Sequence, residues 1–194
     1  FTHERPLAGA GVGIAGVLGV GGGPVLESPN LPWLDGFDLR APLADALGVP
    51  VHCDNDANCV GWGEAVAGAG SGQGDQICLA LGTGVGGSLV AEGHLEHGSR
   101  GRGVELGHLC VEPLGAPCGC GGRGCLEQYA SQTGLLRMMA EVGLPADGPD
   151  AVVALFAQAA HHDPRASQLV ATAGRALGIA IAGLARLTGV RCFV

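Results

Sequence analysis

Three short segments of this chain carry side chains whose types and spacing suit chemistry. The first is His108-x9-Cys118-x-Cys120-x4-Cys125. Three thiolates and one imidazole complete a closed tetrahedron, the set a structural zinc ion prefers, and four protein ligands leave no open position for catalysis. Gly119, Gly121, Gly122 and Gly124 permit the tight turns that point three sulfurs inward. Free cysteines in a flexible loop are the competing reading, but without a metal those thiols would crowd in a loop that has no apolar core.

The second segment is Asp54-Asn55-Asp56-Ala57-Asn58, between an expected strand and an expected helix. Helix capping alone accounts for one such residue. Here four polar side chains gather at the end of a strand, where the sites of α/β proteins collect. A carboxylate in a first helical turn stays ionised in the helix field and can accept a proton from a hydroxyl. The third segment, Leu81-Gly82-Thr83-Gly84-Val85-Gly86-Gly87, follows a strand and precedes another. A dinucleotide fingerprint needs a helix there, so the following strand argues against it. Such a turn can still offer backbone N–H groups and a threonine hydroxyl to a phosphate, and a plain glycine hairpin explains it equally well.

The elements that must position these groups follow from the pattern. A buried strand is expected over Gly11–Val17, a turn over Gly19–Gly23, and a loop over Ser28–Gly36, where Pro29 and Pro32 exclude regular structure. A short helix is expected over Leu43–Leu47, a strand over Val49–Cys53, and a helix over Ala57–Ala67 capped from Asp54-Asn55-Asp56. Gln76–Leu81 and Val85–Ala91 read as a hairpin, Glu92–Gly103 as a polar loop, and His108–Glu112 as a further strand. From Leu126 onward the chain reads as helical, with a break at Val142–Pro149 and a stop at His161–Pro164. Pro164 then opens a long last helix, and Arg191–Val194 reads as strand. Strands followed by helices imply an α/β class.

Composition narrows the chemistry. All 10 basic residues are arginine, so a P-loop lysine, a Schiff base and a lysine general base are excluded. The net charge of −8 and the scattered arginines supply no basic stripe for nucleic acid. The 37 glycines show no collagen period, and 47% apolar residues make a core-forming chain. The most apolar stretch, Ala166–Val190, is broken by Arg175 and Arg186, so no membrane span is expected. Leu7–Val25 reads as a buried strand and turn rather than a signal-peptide core. Three of the 8 cysteines crowd beside a histidine and the rest sit singly in apolar runs, which suits a reducing cytoplasm.

Asn55–Asn58, Leu81–Gly87 and the long Gly93–Ser131 segment together resemble the ROK family of bacterial sugar kinases and related transcription repressors. The match runs in order from about Gly11 to the chain end. Trp62-Gly63-Glu64 and Pro29-Asn30-Leu31 are most similar to its glucokinase branch. The resemblance implies an actin/hexokinase-like (ribonuclease H-like) ATPase fold of two lobes, α/β in class. Residues 1–54 would be the end of the N-terminal lobe, and residues 55–194 most of the C-terminal lobe with the zinc loop and the phosphate turn.

It implies that Asp56 is the general base for a sugar 6-hydroxyl, and that Asn55, Glu105, His108 and Glu127 bind sugar hydroxyls. His108 would double as a zinc ligand with Cys118, Cys120 and Cys125, and Thr83 and Gly84 would meet phosphate. The implied partners are a hexose, most readily glucose, and ATP with Mg2+, or polyphosphate as donor, in a cytoplasmic homo-oligomer (dimer or tetramer). The alternative is a sugar-responsive repressor, the one case in which nucleic acid is a partner.

Some features depart from the family. The Asp-Gly-Gly-Thr phosphate loop and the adenine-side Gly-Gly motif are not in the sequence. Ala15–Gly19 lacks the usual proline of the first sugar-side loop, and Arg102-Gly103-Val104 ahead of Glu105 is unusual. The chain is therefore expected to be incomplete at both ends and inactive as a kinase by itself.

Overall fold

The computed structural model describes residues 6–98, 101 and 104–194. Near the start, β1 (Ala10–Ile14) pairs in parallel with β4 (Val51–Asn55), with Gly13 opposite Asp54 and Ile14 opposite Asn55. Two shorter strands, β2 (Val17–Leu18) and β3 (Val25–Glu27), form an antiparallel pair, and α1 (Arg40–Leu47) leads into β4. Ile14, Leu18, Val25, Leu34, Val51 and Cys53 fill the space between these pieces as one apolar core.

The helix α2 (Asp56–Ala67) packs on β1 and on a third, four-stranded sheet, ordered β7-β6-β5-β8. In that sheet β5 (Gln76–Leu81) and β6 (Val85–Ala91) form the expected hairpin, with Leu81 opposite Val85 across the glycine turn. The edges are β7 (His94–Leu95) and β8 (Cys192–Phe193), the latter parallel to β5. The remainder is helical: α3 (Glu127–Ala130), α4 (Gln132–Glu141), α5 (Ala151–Ala160) and α6 (Pro164–Thr188). Pro164 opens α6 as expected, after an Asp163 side chain that accepts from the Arg165 and Ala166 backbone N–H groups.

Ala166, Leu169, Ala173, Ala176, Ala180 and Leu184 recur at helical spacing on α6 and are buried. By length and composition alone α6 could cross a membrane. That buried stripe packs on α3, α4 and α5, while Arg175 and Arg186 are exposed.

The elements differ from expectation in several places, among them the short strands β3 and β7, the latter inside the expected Glu92–Gly103 loop. The Gly11–Val17 strand breaks at Ala15-Gly16, because Gly16 lies where a Cβ would sit 2.7 Å from Glu27 O, and the chain turns there into a separate sheet. Within the Ser28–Gly36 loop, Pro32–Leu34 forms one 3-10 turn, with Pro32 at its start, where a missing N–H costs nothing. The first helix begins at Arg40 rather than Leu43. Instead of a strand over His108–Glu112 there is a 3-10 turn, Leu106–His108, followed by a single bridge from Cys110 to Cys125, since this stretch pairs with the cysteine loop and not with a sheet. Of the expected Glu92–Gly103 loop, Ser99, Arg100, Arg102 and Gly103 lie outside the described residues.

Candidate active site and metal centre

The parallel pairing of β1 with β4 delivers Asp54 and Asn55 to the carboxyl end of both strands, where α2 begins. Asn55 is the N-cap. Its side-chain oxygen accepts from the Ala57 N–H at 2.9 Å and the Asn58 N–H at 3.2 Å, and its Nδ2 donates to Gly16 O at 3.0 Å. Asp56 follows in the first turn and is exposed, and among the described residues its Oδ1 takes only the Ala57 N–H, at 2.9 Å. With capping already supplied by Asn55, the Asp56 carboxylate faces solvent at the positive end of the helix. Asp54 is occupied in another way. Oδ1 accepts from the Asn55 N–H at 2.7 Å and from Nδ2 of buried Asn58 at 2.8 Å, while Oδ2 lies 2.7 Å from His97 Nε2.

The glycine turn is pinned from behind by the start of α4. Gln132 N donates to Gly82 O at 2.8 Å, and Thr133 donates to Thr83 O through both its backbone N–H (3.3 Å) and its hydroxyl (2.8 Å). Glu127 reaches the other side. Its Oε2 accepts from the Val85 N–H at 3.3 Å, and a Cβ on Gly84 would lie 2.5 Å from that same oxygen. Oε1 of Glu127 lies 3.9 Å from the Cys118 thiol, so one carboxylate touches both the turn and the cysteine cluster.

In that cluster one donor atom from each of His108, Cys118, Cys120 and Cys125 lies within 4.8 Å of the others. His108 Nδ1 is 3.6 Å from Cys118 Sγ, and Cys120 Sγ is 3.6 Å from Cys125 Sγ. The loop is knotted by its own backbone: Cys118 N donates to Gly122 O at 2.9 Å, Gly121 N to Cys118 O at 3.0 Å, and Gly124 N to Ala116 O at 2.8 Å. Gly124 is required, since its φ is +67° and a Cβ would overlap Glu112 O. Burial pushes the Cys125 thiol up to about 12, with the neighbouring sulfurs adding to the shift. The Gly122 N–H, then Cys118 and Cys125, draw the exposed Cys120 thiol below its ordinary value. Four soft and borderline donors at this separation fit a tetrahedral metal ion.

Glu105 sits just before His108 at φ −72°, ψ 63°, the values of an inverse γ-turn, and Leu106 N donates to Val104 O across it at 2.8 Å. That turn projects Glu105 into solvent. Its seat is the start of β6: a Cβ on Gly107 would overlap Val85 O, and one on Gly87 would lie 2.6 Å from Leu106 Cβ. On the same strand a Cβ on Gly86 would lie 2.6 Å from Ala57 Cβ, beside Asp56.

Thus Gly84–Gly87 gathers the pieces. Glu127 meets it at Gly84 and Val85, the start of α2 meets it at Gly86, and the Glu105–His108 turn meets it at Val85 and Gly87. The four metal-ligand candidates come together; Glu127 joins them to the glycine turn; Asn55 and Asp56 stand side by side. Sequence reasoning missed the Asp54–His97 pair and the packing role of Gly86 and Gly87.

The chain is similar to known proteins over nearly its whole length. The ROK family model matches residues 2–194. A glucokinase of Halalkalibacterium halodurans is 42% identical over 139 residues, covering 71% of this chain and 42% of that protein. The xylose repressor of Bacillus subtilis is 34% identical over 133 residues, covering 69% of this chain and 34% of the repressor. The chain therefore spans less than half the length of the curated relatives it matches. Among solved structures, a ROK hexokinase from Thermus thermophilus superposes with a TM-score of 0.81 at 36% identity, over 94% of this chain and 59% of that one. A ROK family glucokinase from Streptomyces griseus, in complex with glucose and AMPPNP, superposes at 0.80 with 33% identity, over 98% of this chain and 65% of that one.

Proposed function

Because the chain belongs to the ROK family and has its actin/hexokinase-like α/β fold, we propose that the full-length protein is a hexose kinase that transfers the γ-phosphoryl group of ATP to the 6-hydroxyl of glucose. The observation that carries this reading is the convergence on Gly84–Gly87. A solvent-exposed carboxylate in the first turn of a helix, a glycine turn between two strands and a set of carboxylates all border one strand start. Residues 1–54 then belong to the end of the N-terminal lobe and residues 55–194 to most of the C-terminal lobe, a division supported by the separate apolar core around Ile14, Val25 and Val51.

In this reading Asn55, Glu105, His108 and Glu127 bind sugar hydroxyls. Buried or fixed acceptors discriminate well, since a sugar lacking the matching hydroxyl leaves one unpaired. Asp56 takes the proton of the 6-hydroxyl as that oxygen attacks phosphorus. Thr83 and Gly84 present a hydroxyl and N–H groups to phosphate oxygens, a positioning role of the kind on which phosphoryl transfer depends. Mg2+ accompanying the nucleotide would neutralise charge on the phosphate oxygens.

The metal held by His108, Cys118, Cys120 and Cys125 is zinc, in a structural role. With zinc–sulfur bonds of about 2.3 Å a tetrahedron has sulfur–sulfur edges of about 3.8 Å, and Cys120 and Cys125 stand 3.6 Å apart. Three cysteines beside a histidine, with the others set singly in apolar runs, are a metal cluster plus thiols rather than a disulfide framework, the pattern that suits a reducing cytoplasm as the place of action.

The test is a panel of hexoses against ATP and polyphosphate with the full-length protein, and Asp56→Asn alongside. Glucose phosphorylation with ATP is expected, and a loss of about 100- to 10,000-fold in kcat for the variant. Asparagine retains the acceptor for the Ala57 N–H, so folding is preserved. An Asp56→Asn protein of full activity would remove the base assignment.

The second reading, a sugar-responsive repressor, draws on the 34% identity to the xylose repressor. It predicts hexose binding without phosphorylation of any hexose in the panel, and sugar-dependent binding to an operator DNA.

A further inference from the structure

Ser28 is 1% exposed and has no part in the chemistry proposed above, yet each of its polar groups is committed. It follows β3 and so arrives beside the kink at Ala15-Gly16, between β1 and β2. Its backbone N–H donates to Asp35 Oδ1 at 2.8 Å, and its carbonyl accepts from the Leu31 N–H at 3.1 Å. The hydroxyl donates to Ala15 O at 2.7 Å. The next carbonyl along, Gly16 O, accepts from Asn55 Nδ2 at 3.0 Å. Two successive carbonyls of the kink are therefore held by distant parts of the chain, one by Ser28 and one by Asn55. Gly16 also lies flush against Ser28, since a Cβ on it would stand 3.0 Å from Ser28 Cβ.

The Asn55 amide has one way to sit. Its oxygen accepts from the Ala57 and Asn58 N–H groups, and one of its two Nδ2 hydrogens goes to Gly16 O. A flipped amide would set its NH2 against two N–H donors and its oxygen against a carbonyl. The second Nδ2 hydrogen has no partner among the described residues, so Asn55 meets a sugar as a donor to one hydroxyl oxygen. We propose that Ser28 is a positioning residue for sugar binding: it holds the Ala15-Gly16 kink, and Gly16 O in turn aims the Asn55 amide. This rests on the reading that Asn55 binds the sugar. Asp56 makes no hydrogen bond to the kink among the described residues. Losing the Ser28 hydroxyl therefore falls on sugar affinity and spares proton transfer.

The test uses the full-length protein with Ser28→Ala, and with Ser28→Cys, whose thiol fills the same space but donates poorly. The readouts are Kd for glucose and for each of its monodeoxy analogues by calorimetry, the split between KM and kcat, and melting temperature. For Ser28→Ala, glucose Kd and KM are expected to weaken about three- to tenfold, with kcat within about twofold. Ser28→Cys is expected to fall between wild type and alanine, and it carries the test alone if the alanine variant does not fold. One monodeoxy sugar lacks the oxygen that Asn55 meets, and for that sugar the variants are expected to bind as wild type does. A lowered melting temperature with wild-type glucose Kd marks Ser28 as purely structural and overturns the proposal. Equal weakening for glucose and every monodeoxy analogue also overturns it, because the loss then does not pass through the Asn55 contact. A wild-type protein that binds no hexose overturns the functional reading, and this proposal with it.

Discussion

Gly84 offers a direct measure of how tightly the glycine turn and the proposed sugar site are joined. Alanine there meets no backbone strain of the left-handed kind, so its effect is steric and local. Its Cβ would stand 2.5 Å from Glu127 Oε2, whereas ordinary contact begins near 3.4 Å. The carboxylate must then retreat by about 0.9 Å. The hydrogen bond from the Val85 N–H, already 3.3 Å long, does not survive that retreat. A hydrogen bond to a charged group contributes roughly 1.5–3 kcal/mol; Glu127 is half-buried, and screening lowers that to about 1–2 kcal/mol.

The same displacement moves Glu127 from the place assigned to it beside the sugar. A change of about 1–2 kcal/mol corresponds to a factor of roughly 5–30, so glucose Kd is expected to rise by that factor in Gly84→Ala, as read by calorimetry on the full-length protein. Gly82→Ala is the matched control. It lies in the same turn, but a Cβ there meets nothing within 4 Å, and it keeps the 3.0 Å bond from its N–H to Gly84 O. Sugar affinity in that variant is expected to stay within about twofold of wild type. Should the two alanine variants bind glucose equally, the link from the turn through Glu127 to the sugar is refuted.

Removing the metal with a chelator is expected to lower the melting temperature by at least about 5 °C and to weaken glucose binding, both restored by zinc. An unchanged melting curve after verified metal loss would count against a structural centre. Ser88 is 1% exposed and its hydroxyl has no partner among the described residues. Ser88→Ala removes an uncompensated buried hydroxyl and is expected to leave stability unchanged or raise it by up to about 2 kcal/mol in urea denaturation. A loss of more than about 1 kcal/mol would show that the hydroxyl is satisfied after all.

What the sequence made legible and what it hid divide along a physical line. His108, Cys118, Cys120 and Cys125 announce themselves because metal ligands are rare residue types and their geometry is built from a short, self-bonded loop. The α2 cap was readable for a similar reason: Asn55 acts on N–H groups two and three residues ahead of it. The kink at Gly16 was not, since it depends on Glu27 and Ser28 arriving from another strand. Nor was the expected His108–Glu112 strand correctable from local pattern, because alternation does not reveal that the partner is a cysteine loop rather than a sheet. His97 carries no local signal at all; its partner, Asp54, lies 43 residues away.

The glycines of the turn show the same division inside one motif. Gly82 and Gly84 can be read as a phosphate turn from their place between two strands. Gly86 and Gly87 in the same run serve another need. They let Ala57 and Leu106 approach the strand backbone, and Gly107 approaches Val85 O from the other partner. A side chain at any of the three would push α2 or the Glu105 turn away from β6. The spacing between the proposed base and the proposed sugar ligands is therefore set by the missing Cβ atoms of β6 and its neighbours, as much as by the polar residues themselves. On this argument substitutions at Gly86 or Gly87 would misplace Asp56 or Glu105 without touching either, which is why glycines in the strand, and not only those in the turn, belong to the site.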